Sequence, residues 1–200
     1  MLVSRPVLNP GTLVWSGEHW INFLRRPGDD SDSGMVSLYH THYSAAGEGT
    51  VAWVHIRGDG GFTVIYTDNE ELVPLIVENM GPRRNPAFDH DLPILAAAFA
   101  RGGDIRRDPS WTISTDERQI VARWLVSQPP AIAEGPSPVF KQGVDFFTIL
   151  FFTDEASITV SGRAVDGQPY IRDTWRASIG GDRSSCVFAL AETMTAVPRS

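Results

Sequence analysis

Hydrophobic and polar residues alternate with a period of two from residue 35 onward, and this pattern predicts strands. Three segments rich in β-branched and aromatic residues are separated by short runs of turn formers. The predicted strands are 35–43, 50–56 and 62–67. Because short turns join antiparallel neighbours, we expect these strands to form a meander.

The pattern changes to a helical period after residue 67. The segment 68–71 offers a cap and first-turn carboxylates, and Pro74 suits the first turn of the helix that follows. The apolar positions of this helix are Leu72, Leu75, Ile76 and Met80. A second apolar segment, 92–101, ends at two glycines and predicts another short helix.

A second series of strands is predicted after residue 110. The segments are 111–114, 119–127, 144–152, 157–165, 170–178 and 185–194. Residues 144–152 are apolar on both faces, which is typical of a strand that is covered on both sides or forms a subunit interface. Residues 1–34 predict an irregular N-terminal segment with short elements at 12–15 and 18–24 and a mobile loop at 26–34.

Two antiparallel meanders with two short helices between them predict a mainly β (α+β) fold. We expect an antiparallel β-barrel or a strongly curved sheet, lipocalin-like in general character. The length of 200 residues suits a single domain that spans 1–200. The chain contains no internal repeat, no Rossmann glycine fingerprint and no P-loop.

Charge and cysteine content exclude several classes of protein. A net charge of −7 argues against binding to nucleic acid or to an anionic membrane surface. Cys186 is the only cysteine, so neither an intramolecular disulfide nor a cysteine zinc cluster is expected. The first residues show no signal-peptide pattern, and no apolar run reaches the roughly 18 residues of a membrane span. These features predict a cytoplasmic protein.

Two histidines stand one residue apart in the first predicted strand. Residues i and i+2 of a strand share a face, so His40 and His42 would present imidazoles about 7 Å apart. A hairpin that pairs Tyr43 with Thr50 would add His55 to this face, and a shift of one residue would remove it. We expect no cofactor. If a transition metal is bound, these three histidines are its expected ligands.

All four tyrosines fall on predicted strands: Tyr39, Tyr43, Tyr66 and Tyr170. Tyr39 and Tyr43 alternate with the two histidines, so the two pairs should point to opposite faces and should not line the same cavity. If the tyrosines face inward, His90 becomes the expected base, since Asp89 and Asp91 flank it. Asp91 is equally suited to cap the helix predicted after it.

The candidate substrate-binding residues lie on predicted strands: Trp53, His55, Tyr66, Asp145, Tyr170, Arg172 and Arg176. Asp145 begins the most apolar strand, where a carboxylate is costly unless it is paired. Arg172 and Arg176 share a face of the strand predicted at 170–178 and suit a substrate carboxylate or Asp145, although a solvated face is the simpler account. His19 has no supporting pattern, and we expect a structural role for it.

The leading hypothesis is a small-molecule-binding β-barrel enzyme that uses histidine and tyrosine proton transfer. Its substrate would be a small apolar or aromatic organic molecule, and its chemistry of lyase, isomerase or cyclase type. The candidate catalytic residues are His40, His42, Tyr39, Tyr43 and His90. One alternative is a metal-dependent enzyme with an HxH site. The other is a non-catalytic ligand-binding module or a homodimer formed through the strand at 144–152.

Overall fold

The computed structural model describes residues 11–80, 91–125, 128–136 and 143–196. Within these ranges the chain forms two β-sheets, of eight and five strands, and two helices. The mainly β class is therefore confirmed. The strands of this part of the chain do not close into a barrel, because each sheet has two free edges.

In chain order the elements are β1 (Thr12–Leu24), β2 (Gly34–Ser44), β3 (Gly49–Ile56), β4 (Phe62–Thr67), α1 (Leu72–Met80), β5 (Ile94–Ala96), β6 (Ala98–Gly102), β7 (Ser110–Ser114), β8 (Gln119–Leu125), β9 (Ala131–Pro136), β10 (Val144–Phe152), β11 (Glu155–Val160), β12 (Arg163–Ala164), α2 (Asp173–Ile179) and β13 (Val187–Ala196). The large sheet has the order β5-β4-β3-β2-β1-β13-β10-β9, and the small sheet has the order β12-β11-β8-β7-β6. Neighbours are antiparallel except for β4 and β5. Neither described helix has the length and apolar character needed to cross a membrane.

The large sheet is covered on both faces, which separates two cores. An inter-sheet core lies between the two sheets and includes Trp20, Leu38, Val54, Trp111 and Trp124. A helix-side core lies on the other face and includes Met35, Tyr39, Trp53, Leu72 and Ile76, with Trp175 and Ile179 of α2 packed against it. Successive side chains of a central strand therefore enter different cores.

The expectation of an irregular N-terminal segment is wrong for β1, a strand of 13 residues in the middle of the large sheet. Both of its faces are buried, so its hydrophobic residues do not alternate with polar ones. The ladders to β2 and β13 are irregular near Gly17, where an added Cβ would overlap the carbonyl oxygen of His40. The loop after β1 is closed by a backbone hydrogen bond from Ser33 to Leu24 and by an ion pair between Arg25 and Asp32.

Two further segments differ from the predicted elements. Residues 92–101 form β5 and β6, because β4 and β7 supply backbone partners that outweigh the helix propensity of alanine and leucine. Residues 173–179 form α2, where a strand was expected. The predicted second meander is divided, since β10 and β13 belong to the large sheet and β11 to the small one.

Asn22 provides a testable link between the two sheets. Its side chain is fully buried and its Nδ2 donates to the carbonyl oxygens of Arg123 at 3.0 Å and Ser157 at 3.2 Å. We expect Asn22→Ala to lower the free energy of unfolding by about 2 kcal/mol, because two acceptors of the small sheet lose their donor. Urea unfolding followed by tryptophan fluorescence measures the change.

The matched control is Asn79→Ala, which removes one hydrogen bond inside α1, donated by Asn79 Nδ2 to the carbonyl oxygen of Leu75. Its expected cost is below about 1 kcal/mol. Equal losses for the two variants would contradict a role for Asn22 in joining the sheets.

Candidate functional site

The alternating side chains of β2 enter different cores, as their parity predicts. Tyr39 is 6% exposed and belongs to the helix-side core. His40 points the other way, with its ring centroid 5.3 Å from that of Trp111 in the small sheet. The tyrosine and histidine pairs therefore line different spaces.

The predicted three-histidine set does not converge. The rings of His40 and His42 lie 5.0 Å apart, but β3 pairs Thr50 with His40 and His55 with Met35. The hairpin that pairs Tyr43 with Thr50 would have placed His55 on the face of His40 and His42. The observed register is shifted from it by an odd number of residues, so His55 points to the opposite face. His55 Nδ1 instead lies 2.7 Å from the Thr63 hydroxyl. No group of three or more metal-ligating side chains occurs in the described part of the chain.

His40 lies beside an ion pair between the buried Glu18 and the exposed Arg101, at the edge of the inter-sheet core. Its Nδ1 is 3.0 Å from the Thr50 hydroxyl, and burial lowers its pKa below the ordinary value of 6.5. Glu18 opposes this shift and His42 adds to it. Glu18 is itself fully engaged, since it accepts hydrogen bonds from Arg101 Nη1 at 2.8 Å and from an indole N–H. The carboxylate therefore joins the sheets and is not available as a base.

A second polar group lies on the helix-side face, across the adjacent strands β2, β1 and β13. We name it the His19 cluster: His19, Ser37, Tyr39 and Glu192. His19 Nε2 is 3.2 Å from the Ser37 hydroxyl, and His19 Nδ1 is 3.7 Å from Glu192 Oε1. The His19 ring stacks on Tyr39, its cross-strand partner, at 4.0 Å between centroids. An imidazole thus lies between a carboxylate and a hydroxyl.

The phenol of Tyr39 keeps its proton at neutral pH. Burial, and secondly the charge of Glu192, raises the pKa of this phenol well above its ordinary value of 10.0. A hydrogen bond from Ser37 and the charge of Arg172 act in the opposite direction. Edge-to-face contacts with Trp15 and Trp53, at 6.3 Å and 5.8 Å, fix the ring.

Two buried oxygen atoms near this cluster have no hydrogen-bond partner among the described residues. They are Glu192 Oε1 and Thr148 Oγ1, on residues that are 3% and 2% exposed. Thr148 lies on β10, beside β13, where the ladder between the two strands is irregular. An unsatisfied buried polar atom costs about 1–3 kcal/mol, so these oxygens are suited to a bound molecule that supplies donors. The His19 side chain is 14% exposed and that of Glu192 is 4% exposed, so His19 is the more accessible of these two bases.

Several other predicted residues adjoin this cluster. Trp53 contacts Tyr39 directly, and Arg172 acts on the pKa of Tyr39 through its charge. Tyr170 lies below the guanidinium of Arg25, 3.8 Å from ring centroid to Cζ, and burial raises the pKa of its phenol. Four of the predicted residues therefore lie on the helix-side face of the large sheet, which are Tyr39, Trp53, Tyr170 and Arg172.

The remaining predicted residues lie elsewhere. Tyr43 is 54% exposed in a groove beside α1, whereas Tyr66 is buried in the inter-sheet core. Asp145 points away from the helix-side core, because its neighbours in β10 enter that core. Arg176 does not pair with Asp145 and is engaged on the surface by Asp173 and Asp182. His90 lies outside the described residues.

Sequence reasoning missed three members of the cluster, His19, Ser37 and Glu192. One signal was present for Glu192, since it is the only charged residue in β13, whose other residues are apolar or threonine. The same argument that selected Asp145 applies to this position. No local pattern marks His19, because its partners lie on two other strands.

No family model and no curated protein matches the chain.

The buried position of His40 predicts a pH dependence of stability. In the unfolded chain His40 binds a proton at about pH 6.5, whereas in the folded chain it binds one only at lower pH. The free energy of unfolding should therefore fall as the pH decreases below about 6.5. His40→Gln should flatten this slope, measured by urea unfolding between pH 5 and 7.5.

An NMR titration of the histidine ring nitrogens provides the control. His42→Gln removes a neighbouring charge and should raise the pKa of His40 part of the way toward 6.5. A pKa of His40 at or above 6.5 in the unaltered protein would contradict the prediction.

Proposed function

We propose that the protein is a small-molecule-binding enzyme whose His19 cluster transfers protons in a reaction of lyase, isomerase or cyclase type. The observation that carries the proposal is the contact series Glu192–His19–Ser37, with Tyr39 stacked on the imidazole. The proposal retains histidine and tyrosine chemistry, but it assigns the base to His19 and no longer to His40, His42 or His90.

Each side chain has a role that its surroundings support. His19 Nε2 takes the Ser37 hydroxyl proton while that hydroxyl oxygen takes a proton from the substrate, and the reverse transfer returns a proton to another substrate atom. The Glu192 carboxylate stabilises the imidazolium formed between these steps. Tyr39 keeps its proton and donates a hydrogen bond to the oxygen on which negative charge develops. Ser37 orients the imidazole.

Hydrogen exchange tests this proposal without knowledge of the natural substrate. The protein is incubated in D₂O with a panel of small aromatic carbonyl compounds and carboxylic acids. We expect it to introduce deuterium into at least one of them, which proton NMR detects as the loss of a substrate signal. His19→Gln should slow this exchange about 100-fold or more, because a positioned general base contributes at least that factor. Glu192→Gln should slow it less.

The control is His42→Gln, which alters an exposed imidazole on the opposite side of the sheet and should exchange at the unaltered rate. Thermal unfolding checks that each variant is folded. Equal exchange by the His19→Gln variant and the unaltered protein would sink the proposal, and so would an absence of exchange across the panel.

A homodimer is a second proposal, supported by apolar exposure at one edge of the large sheet. Phe147 on β10 is 38% exposed, and Ile132 on the edge strand β9 is 69% exposed. Pairing of exposed edges is a common mode of association between sheets. Sedimentation that shows only monomer would contradict it.

A further inference from the structure

Arg172 occupies an unusual position for a cationic side chain. It precedes α2, next to an isolated bridge between Ile171 and Ser184, and it is half-buried over the helix-side face of the large sheet. Its Cζ lies 4.8 Å from the centroid of the Phe23 ring. A guanidinium stacked in this way can present its planar edge to a partner.

No such partner is present in the described part of the chain. Arg172 forms no side-chain hydrogen bond and no ion pair there. Asp32 is the carboxylate that acts on it, but Asp32 Oδ1 already accepts hydrogen bonds from Arg25 Nε at 3.2 Å and Nη2 at 3.0 Å. Asp32 therefore acts on Arg172 through its charge and forms no ion pair with it.

A second unpaired donor follows Arg172 along the chain. Trp175 stands three residues later, and residues at this spacing lie on the same side of a helical turn. Its backbone N–H donates to the Arg172 carbonyl at 3.1 Å. Its indole Nε1 is buried and has no hydrogen-bond partner among the described residues, while its ring packs edge-on against Phe152. Two side-chain donors and two phenylalanine rings therefore border the same part of the helix-side face.

This part of the face adjoins the His19 cluster. The charge of Arg172 acts on the phenols of Tyr39 and Tyr170, and each phenol acts in return on Arg172. Phe23, which lies under Arg172, belongs to the same helix-side core as Tyr39, and Tyr170 packs against that core. A group bound to the guanidinium would consequently lie on the same face of the large sheet as Tyr39, which stacks on His19.

We propose that Arg172 binds the carboxylate of the substrate, so that the substrate is a small apolar or aromatic carboxylic acid. This inference rests on the proposed function, because it names the substrate class of that site. Carboxylate oxygens match the two parallel N–H groups of a guanidinium. A single guanidinium balances one negative charge, which favours a carboxylate over a phosphate dianion in a half-buried site. The neighbouring phenylalanine rings suit an apolar body.

Calorimetry with matched acid and amide probes tests the substrate class. The probes are benzoate, phenylacetate and cinnamate, compared with benzamide, phenylacetamide and cinnamamide. We expect at least one acid to bind about 10-fold or more tightly than its amide, since a hydrogen bond to a charged group contributes that factor or more. Arg172→Gln should remove this preference, and Arg172→Lys should restore only part of it, because lysine lacks the planar fork.

Arg176→Gln is the matched control. This arginine is in the same segment but is already engaged by Asp173 and Asp182, so acid binding should be unchanged. Near-ultraviolet circular dichroism verifies that each variant keeps its aromatic packing. Equal affinity for acids and amides, or an acid preference that survives Arg172→Gln, would overturn the inference.

The two proposals fail separately in this design. His19→Gln should keep the acid preference and lose deuterium exchange, because His19 acts after the carboxylate is bound. Loss of exchange with retained acid binding in this variant supports both proposals. Exchange confined to neutral carbonyl compounds would leave the His19 cluster as the base and overturn the role of Arg172.

Discussion

The burial of β1 on both faces is the constraint on which the rest of the structure depends. Its alternate side chains address different layers: Trp20 and Asn22 enter the inter-sheet core, while Ile21 and Phe23 enter the helix-side core. A slip of one residue would exchange these two sets and place polar groups against apolar partners. The registers of β2 and β13, and hence of the large sheet, follow from this strand.

The same alternation separates the polar groups of the molecule into two kinds. Glu18 and Asn22, on the inter-sheet side, are fully hydrogen-bonded and join the sheets. On the helix side, Glu192 Oε1 and Thr148 Oγ1 are buried without a hydrogen-bond partner among the described residues, and the half-buried Arg172 side chain forms no ion pair there. Satisfied buried groups stabilise a fold, whereas unsatisfied ones lower its stability and are typical of sites that bind a ligand.

Elements that depend on interactions between residues close in the sequence were predicted correctly, and elements that depend on distant partners were not. The strands at 35–43, 50–56 and 62–67 and the helix at 72–80 were predictable because alternation, turn residues and a helix cap act over a few positions. The segment 92–101 was predicted as a helix because its alanine and leucine residues have helix propensity, but backbone partners on β4 and β7 make it two strands. The candidate site was half predictable: strand parity separated Tyr39 from His40, but it gave no reason to select His19.

By itself the sequence determined the β class, the first meander and the opposite facing of histidines and tyrosines on β2, because each depends on local spacing. Tertiary structure alone decided that His19, Ser37 and Glu192 meet, since they lie on three strands brought together by long-range pairing. It also decided that His55 lies away from His40, because a hairpin register depends on the packing of both sheet faces. The physical reason is the same in both cases: side-chain direction is a local property, whereas side-chain neighbours are set by the whole sheet.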